Sequence, residues 1–259
     1  MSTQGDRVQR AVLVLLALLA GGAVPIQLVT LSFGYAQYVK QVTLGPKVII
    51  TAHQFATFYL PWIYLPAMVV LAGIVLYARQ RYPDLFRRII VGFGMGAVAT
   101  IALDAAREAG VIHGWLPGDT PIMFGKMATG SKHFATVYTV GLLVHYLNGA
   151  DFGLVYAFVW GKRRSYRAAV AWATLWALLV ELGMMLGPPM GPMVGPFGIR
   201  YAWPQLFLLT LVAHVAFGVA LGLLVQTFLQ DVDRGWLWHF LSGASPPRGA
   251  TASPYTAPV

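Results

Sequence analysis

The sequence predicts an all-α fold, a polytopic integral membrane helix bundle with about six transmembrane helices. Hydrophobic residues make up 58% of the 259 residues and charged residues only 10%, which leaves too little polar surface to cover a water-soluble globule of this size. Apolar runs of about 20 residues, enough to span a hydrocarbon core, recur along nearly the whole chain. Basic residues gather in the short connections between alternate runs.

The first apolar run, 11–33, follows Arg7 and Arg10 in the way that a signal peptide follows its basic start. Its hydrophobicity continues for the length of a spanning helix, which favours a retained first helix over a cleaved leader. Five further apolar runs predict helices at 49–77, 89–110, 134–161, 168–187 and 204–229.

The basic residues orient these helices. Twelve of the eighteen Lys and Arg residues lie in the connections 79–88 and 162–167 and in the two tails. The positive-inside rule therefore predicts a multi-pass protein of the inner (plasma) membrane with both termini in the cytoplasm. Residues 1–241 are predicted to form a single domain. The tail 242–259, rich in Ser, Pro, Ala and Thr, is predicted to be disordered.

Composition also limits the partners and the chemistry. The formal net charge is +9, but the basic residues lie between apolar runs and form no nucleic-acid motif, so we expect lipid as the partner, with other membrane subunits as a further option. The absence of cysteine excludes disulfides, thiolate metal sites and iron–sulfur clusters. The sequence has no phosphate-binding loop, zinc-protease motif or serine-hydrolase motif, and it leaves open whether the protein is an enzyme.

Two segments resemble each other. Residues 145–154 and 214–223 both begin with His, carry Gly four and eight positions later, and end in Leu. The helix before each segment ends in Glu-x-Gly, at 108–110 and 181–183. This similarity indicates repeated helical hairpins related by a pseudo-two-fold axis along the membrane normal. The glycine spacing by itself is also typical of close helix packing.

Four ionisable residues fall at nearly one depth in the outer half of the membrane when about 1.5 Å per residue is counted from the inner charges. They are Asp104, His145, Glu181 and His214. Each costs roughly 2.5–3.5 kcal/mol in lipid, so each needs a partner or a function. His145 and His214 could bind a haem iron axially, or join Glu181 and Asp104 in binding iron, copper or zinc. The leading interpretation is therefore a membrane redox protein, or a redox subunit of a complex.

Two other interpretations stay open. His145, Asn148 and Asp151 form a polar stripe down one helix, which is compatible with a proton path in a proton-coupled small-solute transporter or channel-like subunit. Alternatively, every buried polar group is satisfied by a neighbour, and the chain is a non-catalytic scaffold subunit.

Weaker candidates surround the main site. Thioethers are soft ligands that suit Cu(I), and the fifth helix ends in a segment rich in them, near two outer histidines. This set is Met184, Met185, Met190, Met193, His113 and His133. Arg107 shares a helical face with Asp104 and Glu108, so it can be neutralised within its own helix. The alternative role for Arg107 is to bind an anionic group such as a haem propionate, a lipid phosphate or a substrate carboxylate.

Overall fold

The computed structural model describes residues 4–43 and 45–229, and this part of the chain contains no β-strand. Six of its helices are long and apolar enough to cross a membrane, which confirms the all-α class and the number of helices. They are α1 (Gln4–Val39), α2 (Pro46–Arg81), α3 (Pro83–Ile112), α5 (Phe134–Val159), α6 (Tyr166–Leu186) and α8 (Gln205–Phe228). Two shorter helices lie in the long connections, α4 (Thr120–Thr129) and α7 (Met190–Val194). The predicted disordered tail lies outside the described residues.

The first three spanning helices are longer than their apolar runs predict. The run 11–33 lies inside a helix that begins at Gln4 and ends at Val39, and the run 49–77 lies inside Pro46–Arg81. Polar residues continue a helix once its first turns are formed, because each added residue gains a backbone hydrogen bond. Hydrophobicity therefore marks the apolar central part of each helix and not its ends.

Helices α1 and α2 contain π-helical segments, at Leu19–Ala23 and Tyr35–Val39 in α1 and at Leu60–Tyr64 in α2. Prolines lie in or just after two of these segments, and proline has no N–H to donate within a helix. Tyr59 donates a hydrogen bond of 2.7 Å from its hydroxyl to the carbonyl of Val24, which joins the two helices beside the widened turns.

Helix α3 packs against α2, α5 and α8, and α8 also packs against α6. Helix α1 packs against α2 and α5. We call the end of the bundle that carries the connections 40–45, 113–133 and 187–204 the loop end. The opposite end, with the short basic connections, is the basic end. There, Arg81 pairs with Asp6 at 2.8 Å and links α2 to α1.

Small residues allow α3 and α5 to approach closely. A Cβ atom on Gly96 would meet the carbonyl oxygen of Gly149 and the Cα of Gly153. The two helices run antiparallel, so each step of four residues up α3 matches a step of four down α5. The facing pairs are Gly92 with Ala157, Gly96 with Gly153, and Thr100 with Gly149. Close packing of this kind fixes the register between the two helices.

The α6–α8 hairpin is packed in a similar way. Gly218 faces the backbone of Thr174, and Gly222 faces the backbone of Val170, one turn closer to the basic end. The glycine pairs 149/153 and 218/222 therefore lie on α5 and α8. Each pair faces the spanning helix that precedes it in the chain, α3 or α6.

Substitution of one glycine tests the α3–α5 contact. Gly96→Ala should lower the free energy of unfolding by about 1–3 kcal/mol, because the added methyl group meets backbone atoms that cannot move aside. Gly94, two residues away on the same helix, has open space at its Cβ position. Gly94→Ala should therefore be neutral or stabilising by up to about 1 kcal/mol. Thermal unfolding of the purified variants in detergent measures both effects, and equal stabilities would contradict the packing described.

Candidate functional site

A cavity of about 430 Å³ lies between α3, α5, α6 and α8 in the half of the bundle nearer the loop end. Helix α4 and the segment 187–190 cover it at the loop end, and part of α1 completes the wall. Gln37 donates a hydrogen bond of 2.7 Å to the carbonyl of Pro189 and so anchors the covering segment to α1. The cavity is large enough for a small organic molecule.

The wall of the cavity is mainly apolar and aromatic. Phe152, Trp176 and Phe217 line the part nearer the basic end, and Phe124 lines the part under α4. The indole nitrogen of Trp176 donates to the carbonyl of Phe152 at 3.1 Å, which joins α6 to α5. A molecule bound here would therefore contact aromatic faces from three spanning helices and from α4.

His145 lies in the cavity wall and pairs with Asp104. Its Nε2 lies 2.9 Å from a carboxylate oxygen of Asp104, and only 8% of the histidine is exposed. Asp104 stands four residues beyond Thr100, and His145 stands four residues before Gly149, so the pair is the next step of the α3–α5 register. A carboxylate only accepts hydrogen bonds, so Nε2 carries the proton. No described residue donates to or accepts from Nδ1 of His145.

Arg107 connects this pair to the loop end. Its guanidinium donates to Asp104 at 2.7 Å, to Glu108 at 2.6 Å and to Asp119. The arginine lines the cavity and is 5% exposed. Three carboxylates around one guanidinium leave a net negative charge and no positive charge to spare. The neutralisation of Arg107 within its own helix, which the sequence allowed, is observed, and Asp119 adds a third partner.

Asp119 lies outside the spanning helices, just before α4. Burial raises the pKa of its carboxyl, and the neighbouring Arg107 opposes that effect only in part. Glu108, on the other side of the guanidinium, is half exposed. Hydrogen bonds therefore run without interruption from His145 in the cavity wall through Asp104 and Arg107 to carboxyl groups near the surface at the loop end.

His214 reaches the same cavity from α8. Its Nδ1 donates to the carbonyl of Thr210 at 2.8 Å, which leaves Nε2 as the nitrogen with the lone pair. The Thr210 hydroxyl donates to Glu181 at 3.1 Å. Glu181 is thus linked to His214 through a threonine, without a direct bond, and it does not line the cavity.

The four predicted metal ligands are not gathered around one point. Asp104 bonds His145, and Glu181 bonds Thr210, in two separate hairpins. Within residues 4–43 and 45–229, no group of three or more His, Asp or Glu side chains could hold a metal ion. Both imidazoles do line one cavity, but Asp104 occupies the Nε2 of His145. Axial haem binding by the two histidines stays a prediction.

The methionines of the copper hypothesis divide between two environments. Met184 and Met190 line the cavity. Met185 and Met193 do not line it and lie in the apolar core beside α1 and α2, a cluster that also includes Met190. Only two of the four thioethers are therefore available to a molecule in the cavity.

The two outer histidines lie apart from these thioethers. His113 is exposed at the end of α3, where its ring stacks on Trp115 and contacts the carbonyl of Ala109 at 2.7 Å. His133 is exposed just before α5, and its backbone N–H donates to Ser131. Neither histidine lines the cavity.

Only part of the predicted polar stripe on α5 lines the cavity. His145 and Asn148 line the cavity, whereas Asp151 does not. Asp151 is 1% exposed, and neither of its carboxylate oxygens has a hydrogen-bond partner among the described residues.

Sequence reasoning missed two residues of the site. Thr210 lies one turn before His214, and that spacing could have suggested a link between them. Asp119 lies in a connection whose path no periodicity predicts, so the sequence carried no signal for its contact with Arg107. The aromatic wall was missed for a similar reason, because aromatic residues occur throughout the spanning helices.

Comparison with known proteins supplies no identification. No protein-family model, no curated protein and no solved structure matches the chain. The geometry of the site is therefore the basis for the function proposed below.

Removal of the central cation tests the charge cluster. Arg107→Met leaves the partly buried carboxylates of Asp104 and Asp119 without their counter-ion and should lower the free energy of unfolding by about 3 kcal/mol, the lower end for a buried ion pair. Arg200→Met, at an exposed position of the loop end, should change it by less than about 0.5 kcal/mol. Adding Asp119→Asn to Arg107→Met should restore part of the loss, because it removes one of the uncompensated charges. Thermal unfolding distinguishes these outcomes, and equal effects of the two arginine variants would contradict the description.

Proposed function

We propose that this chain is a proton-coupled membrane transporter whose cavity binds small, mainly apolar organic cations with N–H donors. The observation that carries the proposal is the bond between His145, in the cavity wall, and Asp104, which Arg107 connects to the loop end. A titratable group that both faces a bound solute and reaches one side of the membrane is what proton coupling requires.

The chemistry of the solute follows from the hydrogen-bonding state of the two imidazoles. In their neutral forms, His145 offers the lone pair of Nδ1 and His214 offers that of Nε2. Both nitrogens are acceptors, so the complementary solute is a donor. The aromatic wall suits an apolar body, and its ring faces also attract cations.

Charge points to the same class of solute. The cluster of Asp104, Glu108 and Asp119 around Arg107 carries more negative than positive charge beside the cavity. An anionic solute would be repelled, and the guanidinium is already bound by carboxylates on its own chain. A cation would be attracted, as long as most of its surface is apolar.

Competition between two positive charges explains the coupling. A proton on the free nitrogen of His145 and a cationic solute would occupy the same part of the cavity, so the binding of one disfavours the other. The solute would therefore exchange for a proton, which is the thermodynamic basis of antiport. The guanidinium of Arg107 stays protonated and holds the carboxylates in place, so it does not itself carry the proton. The carboxyl of Asp119, whose pKa is raised by burial, is the group of this cluster that would exchange protons at the loop end.

The orientation completes this proposal. With the basic connections in the cytoplasm, the loop end faces outwards, both termini are cytoplasmic, and the chain belongs to the plasma membrane. Proton exchange through Asp119 then takes place with the outer medium.

The α3–α5 and α6–α8 hairpins have the features expected of a duplicated pair, but only the first carries a carboxylate at the position of Asp104. Asp104 and Ala177 occupy equivalent positions when the Glu-x-Gly segments 108–110 and 181–183 are aligned. His145 therefore bonds a carboxylate, whereas His214 bonds only the backbone of its own helix. In a pair of related hairpins, this arrangement assigns the proton to the first hairpin and solute contact to both.

Redox chemistry has less support from the geometry. Both imidazoles, with Met184 and Met190, do line the cavity. However, Asp104 holds the Nε2 of His145, and no set of three His, Asp or Glu ligands assembles in the described chain. We therefore favour transport over the haem or metal interpretation.

A pair of permanently charged probes tests the site. Benzylguanidinium carries N–H donors, whereas benzyltrimethylammonium carries none. Benzylguanidinium should raise the melting temperature of the detergent-purified protein more than benzyltrimethylammonium does. His214→Leu removes the acceptor and should weaken its binding about tenfold, the loss of one hydrogen bond worth about 1.4 kcal/mol.

His113→Leu is the matched control, because this histidine is exposed at the loop end and does not line the cavity. It should leave the binding of benzylguanidinium unchanged. Equal stabilisation by both probes would contradict the proposed solute chemistry. A haem absorption band or a stoichiometric metal in the purified protein, lost in His145→Gln, would favour the redox interpretation instead.

A further inference from the structure

Asp151 is a buried carboxyl group that the proposed cavity does not use. It lies near the middle of α5, it is 1% exposed, and it does not line the cavity. Neither of its carboxylate oxygens accepts a hydrogen bond from any residue that the structure describes. An unpaired carboxylate in an apolar interior is costly, so this group needs a proton or another positive charge that the described residues do not supply.

The neighbours of Asp151 on α5 show which helices its side chain faces. Asp151 shares that face with Leu154 and Val155, which are three and four residues further along the helix. Leu154 and Val155 lie against Gly21 and Gly22, within the π-helical segment of α1. Asp151 therefore points towards α1 and α2, on the side of α5 away from the α3 contact.

Ionisable groups are scarce on the helices around this face. Tyr64, in the π-helical segment of α2, is close enough to interact electrostatically with Asp151. Tyr59 is occupied by its hydrogen bond to the carbonyl of Val24. Helix α1 has no ionisable residue between Arg10 and Tyr35.

The remaining neighbours supply no counter-ion either. Helix α3 has no ionisable residue between Arg88 and Asp104, and Arg88 donates to the carbonyl of Ala157. On α5 itself, His145 is bonded to Asp104. The one ionisable residue of α4, Lys126, is exposed.

We propose that Asp151 is a binding site for a monovalent cation, either a proton or Na⁺, located between α5 and the π-helical segments of α1 and α2. The cation neutralises a carboxylate that no residue of the described chain neutralises. π-Helical segments are frequent at functional sites, and two of them flank this one. A proton converts the group to a neutral carboxylic acid, whereas Na⁺ would use the carboxylate oxygens as ligands.

This site is separate from the solute cavity. In the proposed transporter it would hold a second ion, in addition to the proton that His145 exchanges for the solute. Its test needs no solute, so failure at Asp151 and failure of the cavity proposal are distinguishable.

The first measurement is the linkage between ion binding and stability. The melting temperature of the purified full chain is recorded from about pH 6 to about pH 9, in NaCl and in choline chloride of equal ionic strength. If Asp151 binds a proton, wild-type stability falls as the pH rises, and Asp151→Asn removes that component. If it binds Na⁺, NaCl raises wild-type stability at high pH and does not raise that of Asp151→Asn.

Glu181→Gln is the control, since Glu181 is another buried carboxyl of a spanning helix but accepts a hydrogen bond from Thr210. The melting temperature of Glu181→Gln should keep the dependence on pH or Na⁺ that we assign to Asp151. Identical pH and Na⁺ dependence in wild type and Asp151→Asn would overturn the proposal.

A second measurement on the wild-type chain covers the case in which Asp151→Asn fails to fold. Dicyclohexylcarbodiimide, an apolar reagent, adds to a protonated carboxyl: the acid oxygen bonds to the carbodiimide carbon, the proton moves to a nitrogen, and the acyl group then migrates to nitrogen without a leaving group. Peptide mass spectrometry should locate the adduct at Asp151. Its rate should fall about tenfold per pH unit once the carboxyl is deprotonated, or fall on addition of Na⁺.

Labelling of Asp151 that responds to neither pH nor Na⁺ would overturn the proposal. Protection by Na⁺ but not by choline assigns the site to Na⁺, and a response to pH alone assigns it to a proton.

Discussion

The close approach of α3 and α5 determines most of the candidate site. Without side chains at Gly96 and Gly153, the helix backbones touch, and that contact permits only one register. Two turns further towards the loop end, the same register brings Asp104 within 2.9 Å of His145. The charge cluster around Arg107 then follows, because it is built on the carboxylate that the packing has placed.

The cavity lies between the two glycine-packed hairpins in the half nearer the loop end, where residues of four spanning helices line it. One hairpin contributes a histidine paired with a carboxylate, and the other contributes a histidine bonded to the backbone. In the proposed mechanism, this difference assigns proton exchange to His145 and solute contact to His214. The apolar aromatic wall and the acidic cluster together favour a cation with a largely apolar body.

The sequence predicted the six spanning helices because each apolar run must satisfy its own backbone in lipid. It also placed Asp104 and His145 at one depth, since helical rise is regular. It did not predict which helices are neighbours, so it grouped Glu181 with Asp104 although they belong to separate hairpins. Helix α4, with its contacts to the site, was missed because a short helix between Gly-rich connections has no long apolar run.

Proton movement in proteoliposomes tests the central claim most directly. Vesicles are loaded with benzylguanidinium and a pH-sensitive dye, then diluted into solute-free medium. The proposed exchange predicts acidification of the interior as the solute leaves, in excess of protein-free vesicles. This acidification should be retained in His113→Gln and lost in His145→Gln and Asp104→Asn. Acidification that both of these cavity variants retain, or none above the protein-free level in the wild-type protein, would contradict the proposed coupling.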